Sequence, residues 1–533
     1  MSLLQNSFLE VPLKNALALY NKEVIPRLTK KNKIISISVA VALSLIYLIR
    51  EKVLKPPKHL RHIPYISYLD SVKAILTRES AWDRSYRVFL PEIDQKNHSI
   101  FLEQARLGWI VHVANPKDAR RVFLKIDQFP KLQPKIEHKD TVSSKFLGGP
   151  NILMLNGPEW KKHRMVANPA FHRSLPVKMF GKLTQDMIKV MDKMEGTINI
   201  SDLLHRWTLE AIGKAGFDFE FNAIKDRDSE WIIRYNKINQ GLRDPKFFFF
   251  PLLDSKWRWM FPGRNKIHQE LDIFLKMLDD VIAKKKEAIK HGLHNKVLDD
   301  NEKDLLTLMI ESEELGEGGL NNEELKSTLC IFFLAGHDTT AGALSFAVHY
   351  LAQNQDIQQK AREEAIRILG DDKCDVLPTV EQTKEMTYIN QIIKETLRIN
   401  GPATRIIPRI STEDAEFSGL FIPKGTQVTV NIFAIQHSEK VWKDAHIFNP
   451  DRFEDGGEAS QVESMAWTPF GNGARQCIGM NFSMSEQRVM LAMLLRKYTW
   501  KTPENSIHKD GPKVFGLGIL SPHNLDIDFQ KRY

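Results

Sequence analysis

Phe470-Gly471-Asn472-Gly473-Ala474-Arg475-Gln476-Cys477-Ile478-Gly479, close to the C-terminus, decides how the rest of the chain is read. Its glycines and asparagine make a turn-forming loop, and the apolar periodicity of Met480 to Arg496 predicts a helix directly after it. The cysteine therefore stands at a helix N-terminus, where the dipole and unpaired N–H groups favour a thiolate. Arg475 adds a fixed cation two residues earlier, and Phe470 is placed to keep water off the sulfur. Those are the needs of a thiolate that ligates haem iron and pushes electron density toward oxygen. A lone loop cysteine is otherwise a small buried hydrophobe. The five fixed positions of F-x-x-G-x-R-x-C-x-G favour the haem reading over that one.

Upstream, Asn321–Leu351 is a long helical pattern containing Phe332-Phe333-Leu334-Ala335-Gly336-His337-Asp338-Thr339-Thr340. Glycine, aspartate and paired threonines work against helix propensity, and local rules broken inside a strong element point to function. Ala335 and Gly336 leave room against the helix for a flat cofactor and dioxygen. Thr339 can hydrogen-bond the Ala335 carbonyl, and Asp338 offers an acid with access to water. Reductive splitting of dioxygen needs two delivered protons, which an acid–alcohol pair relays. His337 faces about 100° away from its neighbours and is read as structural. In Asn156-Gly157-Pro158-Glu159-Trp160-Lys161-Lys162-His163-Arg164, Trp160 and Arg164 share one helix face and can meet a carboxylate. Lys161 and Lys162 point elsewhere, as a docking face for an acidic partner or simply a solvated face. Lys394-Glu395-Thr396-Leu397-Arg398 puts Glu395 and Arg398 on one face at i, i+3.

In wording and order these four stretches resemble the cytochrome P-450 family, the haem-thiolate monooxygenases, over roughly residues 55 to 530. The oxygen-side helix is similar to that of fungal, microsomal members. The resemblance implies a mainly α fold with small β-sheets (α+β), haem b (iron protoporphyrin IX) as cofactor and Cys477 as the proximal ligand of its iron. Trp160, Arg164 and Arg475 would meet the haem propionates together with Arg409. Arg409 follows Glu395 by one residue more than in related chains, so Arg405 stands as the alternative. Phe470, Gly479, Ala335 and Gly336 would line the cofactor, and Asp338 and Thr339 would handle protons. Phe448-Asn449-Pro450-Asp451-Arg452-Phe453 matches the stretch that supplies a second arginine to the clamp of Glu395, Arg398 and Arg452. Removing one member of such a buried network costs about 3–5 kcal/mol.

The reaction so implied is RH + O2 + two electrons + two protons giving ROH + water, on a lipophilic substrate of steroid, fatty-acid or xenobiotic type. No G-x-G-x-x-G fingerprint or flavin domain is found, so electrons come from a separate protein. The resemblance implies an NADPH-dependent flavin reductase in the same membrane, with cytochrome b5 as a further donor. The nearest alternative is a haem-thiolate isomerase or dehydratase that rearranges peroxides without a reductase; the intact Asp338–Thr339 pair speaks against it. A haem-binding sensor or carrier would have no need of that pair.

The rest of the chain bounds these readings. Its 533 residues show no repeat, low-complexity tract or long linker, which predicts one catalytic body (56–533) behind an N-terminal segment (1–55). Three cysteines, Cys330, Cys374 and Cys477, make no C-x-x-C pair or disulfide framework and suit a reducing compartment. A net charge of +9 without basic runs interleaved with aromatics excludes nucleic acid and favours a membrane surface. Ile34–Ile49 is apolar, flanked by lysines and arginines, and predicts a single-pass anchor in the endoplasmic reticulum membrane with a cytosolic body. A signal peptide or a buried helix are the competing readings. Basic counts on the two sides of this segment, Lys14, Lys22 and Arg27 among them, are nearly balanced and do not set its orientation. Phe247–Phe250, Trp257, Trp259 and Phe261 form an apolar connection, read as a bilayer-facing substrate entrance or as a locally buried cluster. Gln128 to Asn151 reads as a long loop walling the pocket, and Val514–Leu520 as a turn reaching back over the cofactor.

Overall fold

The structure, a computed structural model, describes residues 30–49, 51, 54–77, 79–105, 108–133, 138–291, 303–316, 318–515 and 519–533. Lys14, Lys22 and Arg27 and the middle of the Val514–Leu520 turn lie outside these described residues. The first element, α1 (Lys30–Ile49), takes in the flanking lysines and reaches 20 residues, about 30 Å of helix at 1.5 Å per residue. Ile35, Ile37, Val39, Val41, Leu43 and Tyr47 on it are all exposed, which removes the buried-helix reading.

α2 (Tyr68–Leu76) leads to a hairpin of β1 (Ile100–Ala105) and β2 (Gly108–Val113), paired antiparallel with Leu102 opposite Val111. α3 (Pro116–Leu124) starts where Asn115 caps the Asp118 N–H at 2.8 Å. The expected long loop is interrupted by α4 (Val142–Leu147), because Thr141 caps the Ser144 N–H and Val142 and Phe146 are buried. Next come α5 (Gly157–Arg173), α6 (Val177–Met191), α7 (Ile200–Phe217), α8 (Glu230–Arg243), α9 (Pro262–Lys290) and α10 (Leu305–Glu314). α11 (Asn322–Gln353) runs 32 residues from a capping box of Asn321 and Glu324. Among the described residues it is the one helix long and apolar enough to cross a bilayer, yet its apolar window is 78% buried. Apolar nearly all round and packed on every side, it is the core helix.

α12 (Gln355–Leu369) and α13 (Thr387–Asn400) precede β3 (Arg409–Ile410) and β4 (Gln427–Val430), and α14 (Met480–Lys497) comes after the cysteine loop. The four strands form one sheet in the order β1-β2-β4-β3, with β2 and β4 parallel and β3 antiparallel to β4. Sequence reading missed β3 and β4: they are short, and the pairing that seats them in the sheet, β4 on β2, joins stretches hundreds of residues apart. One hydrophobic cluster joins α5 to α7, α9, α11, α13 and α14, with Trp207, Phe333 and Met490 at 0% exposure. The chain end returns to this core, since a Cβ on Gly342 would stand 2.8 Å from the Leu520 carbonyl oxygen. Between α8 and α9, Phe248, Phe250, Leu252, Trp257, Trp259 and Met260 are exposed, which decides against the locally buried reading. Only its inner edge is packed, Phe247 against Phe261 at 5.3 Å.

Candidate active site

The cysteine loop is held by backbone geometry that only glycine takes easily. Gly471 and Gly473 both have φ +67°, and a Cβ on Gly473 would meet the Phe123 carbonyl oxygen at 2.7 Å. The Cys477 N–H donates to the Phe470 carbonyl at 2.9 Å and closes the loop. The Phe470 ring is half-buried beside Trp467, and Gly479 is the N-cap residue of α14. Cys477 is solvent-accessible although protein encloses it, so its thiol faces an internal space. Burial pushes the thiol pKa up, and the Gly479 N–H, Arg164 and Lys131 pull it down without overcoming burial. The expectation that loop and dipole alone favour the thiolate is thereby corrected: desolvation outweighs them.

Arg475 is not the cation at the sulfur. Its guanidinium lies over the Trp160 ring, 3.8 Å from the centroid, and Nη2 donates to the Leu155 carbonyl at 2.8 Å and Asn156 Oδ1 at 2.9 Å. Arg409 and Lys131 form a backbone bridge at the edge of β3, held by Leu132 N–H to Pro408 O and Ile410 N–H to Pro130 O. Asn156 joins the two loops, accepting from the Lys131 N–H at 3.0 Å and donating to the Lys131 carbonyl at 2.9 Å. Burial, then Arg475, Arg409 and Arg164, lower Lys131 to about 7. Burial, then Arg409 and Arg164, lower Arg475 to about 9, and burial lowers Arg409 to about 10. Among the described residues no acid pairs with any of these four cations, and Arg475 Nε, Arg475 Nη1 and Arg409 Nε are buried without a partner. Lys131 was not foreseen: a single lysine in a weakly patterned loop carries no local signal. Arg405, the alternative to Arg409, is turned away, pairing with Glu103 at 2.9 Å beside His112 and Arg84.

On α11 the Thr339 hydroxyl donates to the Ala335 carbonyl at 2.6 Å, as expected. Ala335 is exposed and Thr339 half-exposed in the middle of a buried helix, so both look into internal space. Gly336 does not share that face: a Cβ there would stand 3.1 Å from Ile212 Cδ1, and its bareness serves the packing of α7 on α11. Asp338 is 4% exposed, which corrects its expected direct access to water. It pairs with Arg243 at the end of α8, with His337 Nδ1 at 3.1 Å, and lies 4.0 Å from His205 Nε2. Burial works against its ionisation, but His337, Arg243 and His205 hold the carboxyl well below the usual carboxylate range. Arg243, Asn239 and His205 come from two other helices, and no pattern within those helices marks them. His337 packs on the Tyr235 ring at 5.3 Å, consistent with the structural reading.

Behind the loop, Glu395 and Arg398 are both 0% exposed and doubly bonded, Nε to Oε2 at 2.7 Å and Nη2 to Oε1 at 2.8 Å. Arg452 Nε lies 3.4 Å from Glu395 Oε1, and the Asn449 N–H donates to the same oxygen at 3.0 Å. Glu458, unforeseen, takes the other side of Arg452. Arg398 Nη1 bonds the Gln436 carbonyl at 2.8 Å, and Gln436 Oε1 accepts from the Thr468 N–H at 3.0 Å, at the foot of the cysteine loop. Lys162 is engaged with Glu324 of α11 at 2.8 Å, which narrows the expected basic docking face to Lys161.

The site thus presents a thiol on an internal space, a helix carrying an exposed Ala–Thr step, and a wall of cations lacking counter-charge. The Cytochrome P450 family model matches residues 75–525, and the chain belongs to that family, the haem-thiolate monooxygenases, which bind haem and take electrons from redox partners. It is 30% identical to a cytokinin hydroxylase of Arabidopsis thaliana over 68% of each chain. It is 31% identical to the bifunctional cytochrome P450/NADPH–P450 reductase 1 of Bacillus subtilis, over 65% of this chain and 32% of that one. Among solved structures, a cytochrome P450DA haem domain superposes with TM-score 0.72 over 90% of this chain and 99% of that one, at 20% identity. The residues present fit haem: buried cations require anions, and two propionate carboxylates are anions of the right geometry for arginine.

Proposed function

We propose that the chain is a membrane-anchored monooxygenase that uses haem b to hydroxylate a lipophilic substrate of steroid, fatty-acid or xenobiotic type. Its electrons come from NADPH through a separate flavin reductase, with cytochrome b5 as a second donor. The observation that carries the site is the cluster of Lys131, Arg164, Arg409 and Arg475, unpaired by any acid among the described residues, with Lys131 and Arg164 acting on Cys477. Bound haem would supply the activation of dioxygen. Cys477 would hold its iron; Arg164, Arg409, Arg475 and Lys131 would hold its propionates, with Trp160 as the platform under Arg475. Phe470 and Gly479 shape the loop around the sulfur. Ala335 leaves space on the other side, and Gly336 lets α11 approach α7. Thr339 holds a proton donor at its hydroxyl, and Asp338 replenishes it.

The body, residues 56–533, sits on the cytosolic side of the endoplasmic reticulum membrane behind the anchor segment 1–55. The exposed side chains of α1 and the aromatic connection between α8 and α9 support a membrane-facing entrance for lipophilic molecules. The fused reductase in the Bacillus subtilis relative supports a flavoprotein donor.

The test is spectroscopic. Reduced protein with carbon monoxide is expected to absorb as a thiolate complex, and Cys477→Ser to lose that band. A band of histidine type in the wild type would overturn the reading of the site. NADPH consumption with a microsomal flavin reductase, screened over lipophilic compounds, tests the reaction; product formed without NADPH would point to the peroxide isomerase instead.

A further inference from the structure

Two histidines beside Asp338 have their tautomers set by backbone carbonyls. A carbonyl oxygen only accepts, so His205 Nδ1, 2.7 Å from the Ser201 carbonyl, carries its hydrogen there. That leaves His205 Nε2 free to take a second proton on the side of Asp338 Oδ1, 4.0 Å away. By the same rule His337 Nε2, 3.0 Å from the His205 carbonyl, is protonated. Its Nδ1 then stands 3.1 Å from Asp338 Oδ1. It makes no hydrogen bond there, so His337 acts on the carboxylate by proximity and by packing.

The other groups around this pair decide which of them can pass protons. From α8, Arg243 pairs with Asp338 Oδ2 and Asn239 Nδ2 lies 3.4 Å from the same oxygen, while Tyr235 stacks edge-on to His337. On α7, Asp202 and Arg206 pair with each other at 3.3 Å. The Asp338 side chain is 6% exposed, and the neighbours through which it can meet water are His205, 31% exposed within an enclosed space, and Arg243 at 51%. Arg243 stays charged and cannot hand a proton on. Burial, then His337, lowers the His205 pKa; the Ser201 carbonyl and Asp338 raise it, and Arg243 lowers it. A group neutral at rest and protonated in passing suits a relay.

We propose that His205 recharges Asp338 with protons from solvent and that His337 is a positioning residue that fixes the carboxylate; this rests on reading Asp338 as the acid of the site. When Asp338 gives a proton inward, His205 takes one from water at Nε2. A shift of about 1 Å brings that Nε2–H to hydrogen-bond distance of Oδ1, where the proton is transferred. His205 returns to neutral, and the net result is one proton moved from solvent to the site.

The test uses the full-length holoenzyme labelled with 15N-histidine, reduced and carbon monoxide-bound. The imidazole signal lost in His205→Gln should titrate below an ordinary histidine. Its midpoint should fall further in Asp338→Asn, because the carboxylate that raises it is gone. A midpoint indifferent to Asp338→Asn overturns the proposal, and this measurement needs no His205 variant that turns over. In turnover, His205→Gln should keep the thiolate spectrum, lose about fivefold in product per NADPH and show a flattened pH profile. If Asp338→Asn impairs coupling and His205→Gln leaves both coupling and profile at wild type, the relay fails alone. If Asp338→Asn itself keeps wild-type coupling, the reading of Asp338 fails with it.

Discussion

Replacing Glu395 by Gln removes one charge at a point where protein, not water, must compensate. The carboxylate accepts from Arg398 Nε and Nη2 at 2.7 and 2.8 Å and from the Asn449 N–H at 3.0 Å, with Arg452 Nε at 3.4 Å. Both Glu395 and Arg398 have side chains at 0% exposure, so the Arg398 guanidinium cannot turn to solvent. Breaking a buried pair from one side costs about 3–5 kcal/mol, against about 5–15 kcal/mol of total stability. At about 1.4 kcal/mol per decade that is a two- to three-and-a-half-decade loss in the folding constant. The damage should appear first at the cysteine loop, because Arg398 reaches Thr468 through Gln436. Guanidinium unfolding tracked in parallel by helix signal and by the thiolate carbon monoxide band measures both effects. Lys189→Ala is the control: its pair with Asp186 at 3.2 Å has the lysine 66% exposed, and such pairs contribute about 0–1 kcal/mol. A Glu395→Gln midpoint shift no larger than that of Lys189→Ala would refute the argument that burial makes this network matter.

The cation wall and the loop set three further outcomes. Arg409→Leu should weaken haem retention at least tenfold, the cost of about 1.5–3 kcal/mol for a charge-assisted bond, while Arg405→Leu leaves it near wild type; competition for haem by apomyoglobin reads the difference. Lys131, lowered to about 7, binds fewer protons in the folded cofactor-free chain than in the unfolded one, so the stability of that chain should rise with pH from about 7 to the ordinary lysine value of about 10. Propionates reverse the shift, so at about pH 8 to 9 Lys131 should take up about one proton on haem binding, offsetting the one that the Cys477 thiol releases; Lys131→Met should therefore release about one proton more than the wild type, and equal calorimetric proton counts in the two would count against it. Gly473→Ala forces a Cβ to 2.7 Å from the Phe123 carbonyl at φ +67°, and should lose the thiolate spectrum while the helix signal persists.

Sequence alone determined what local spacing can carry. The glycines around Cys477, the Ala335–Thr339 turn, the Trp160–Arg164 face and the Glu395–Arg398 step are each set within one turn of backbone. Helix period or turn chemistry is enough to read them, and Thr339 meets the Ala335 carbonyl and Glu395 meets Arg398 at the spacing expected. Tertiary structure decided everything that depends on what lies opposite. It turned Arg475 onto Trp160 and brought Lys131 beside Arg409 through a pairing across hundreds of residues. It gave Gly336 to Ile212, and closed His205 and Arg243 around Asp338. Burial and the charges packed opposite shift Lys131, Arg475, His205 and Asp338, and both belong to the packed chain rather than to any stretch of it. That is why burial raises the pKa of the thiol that the loop was read as acidifying.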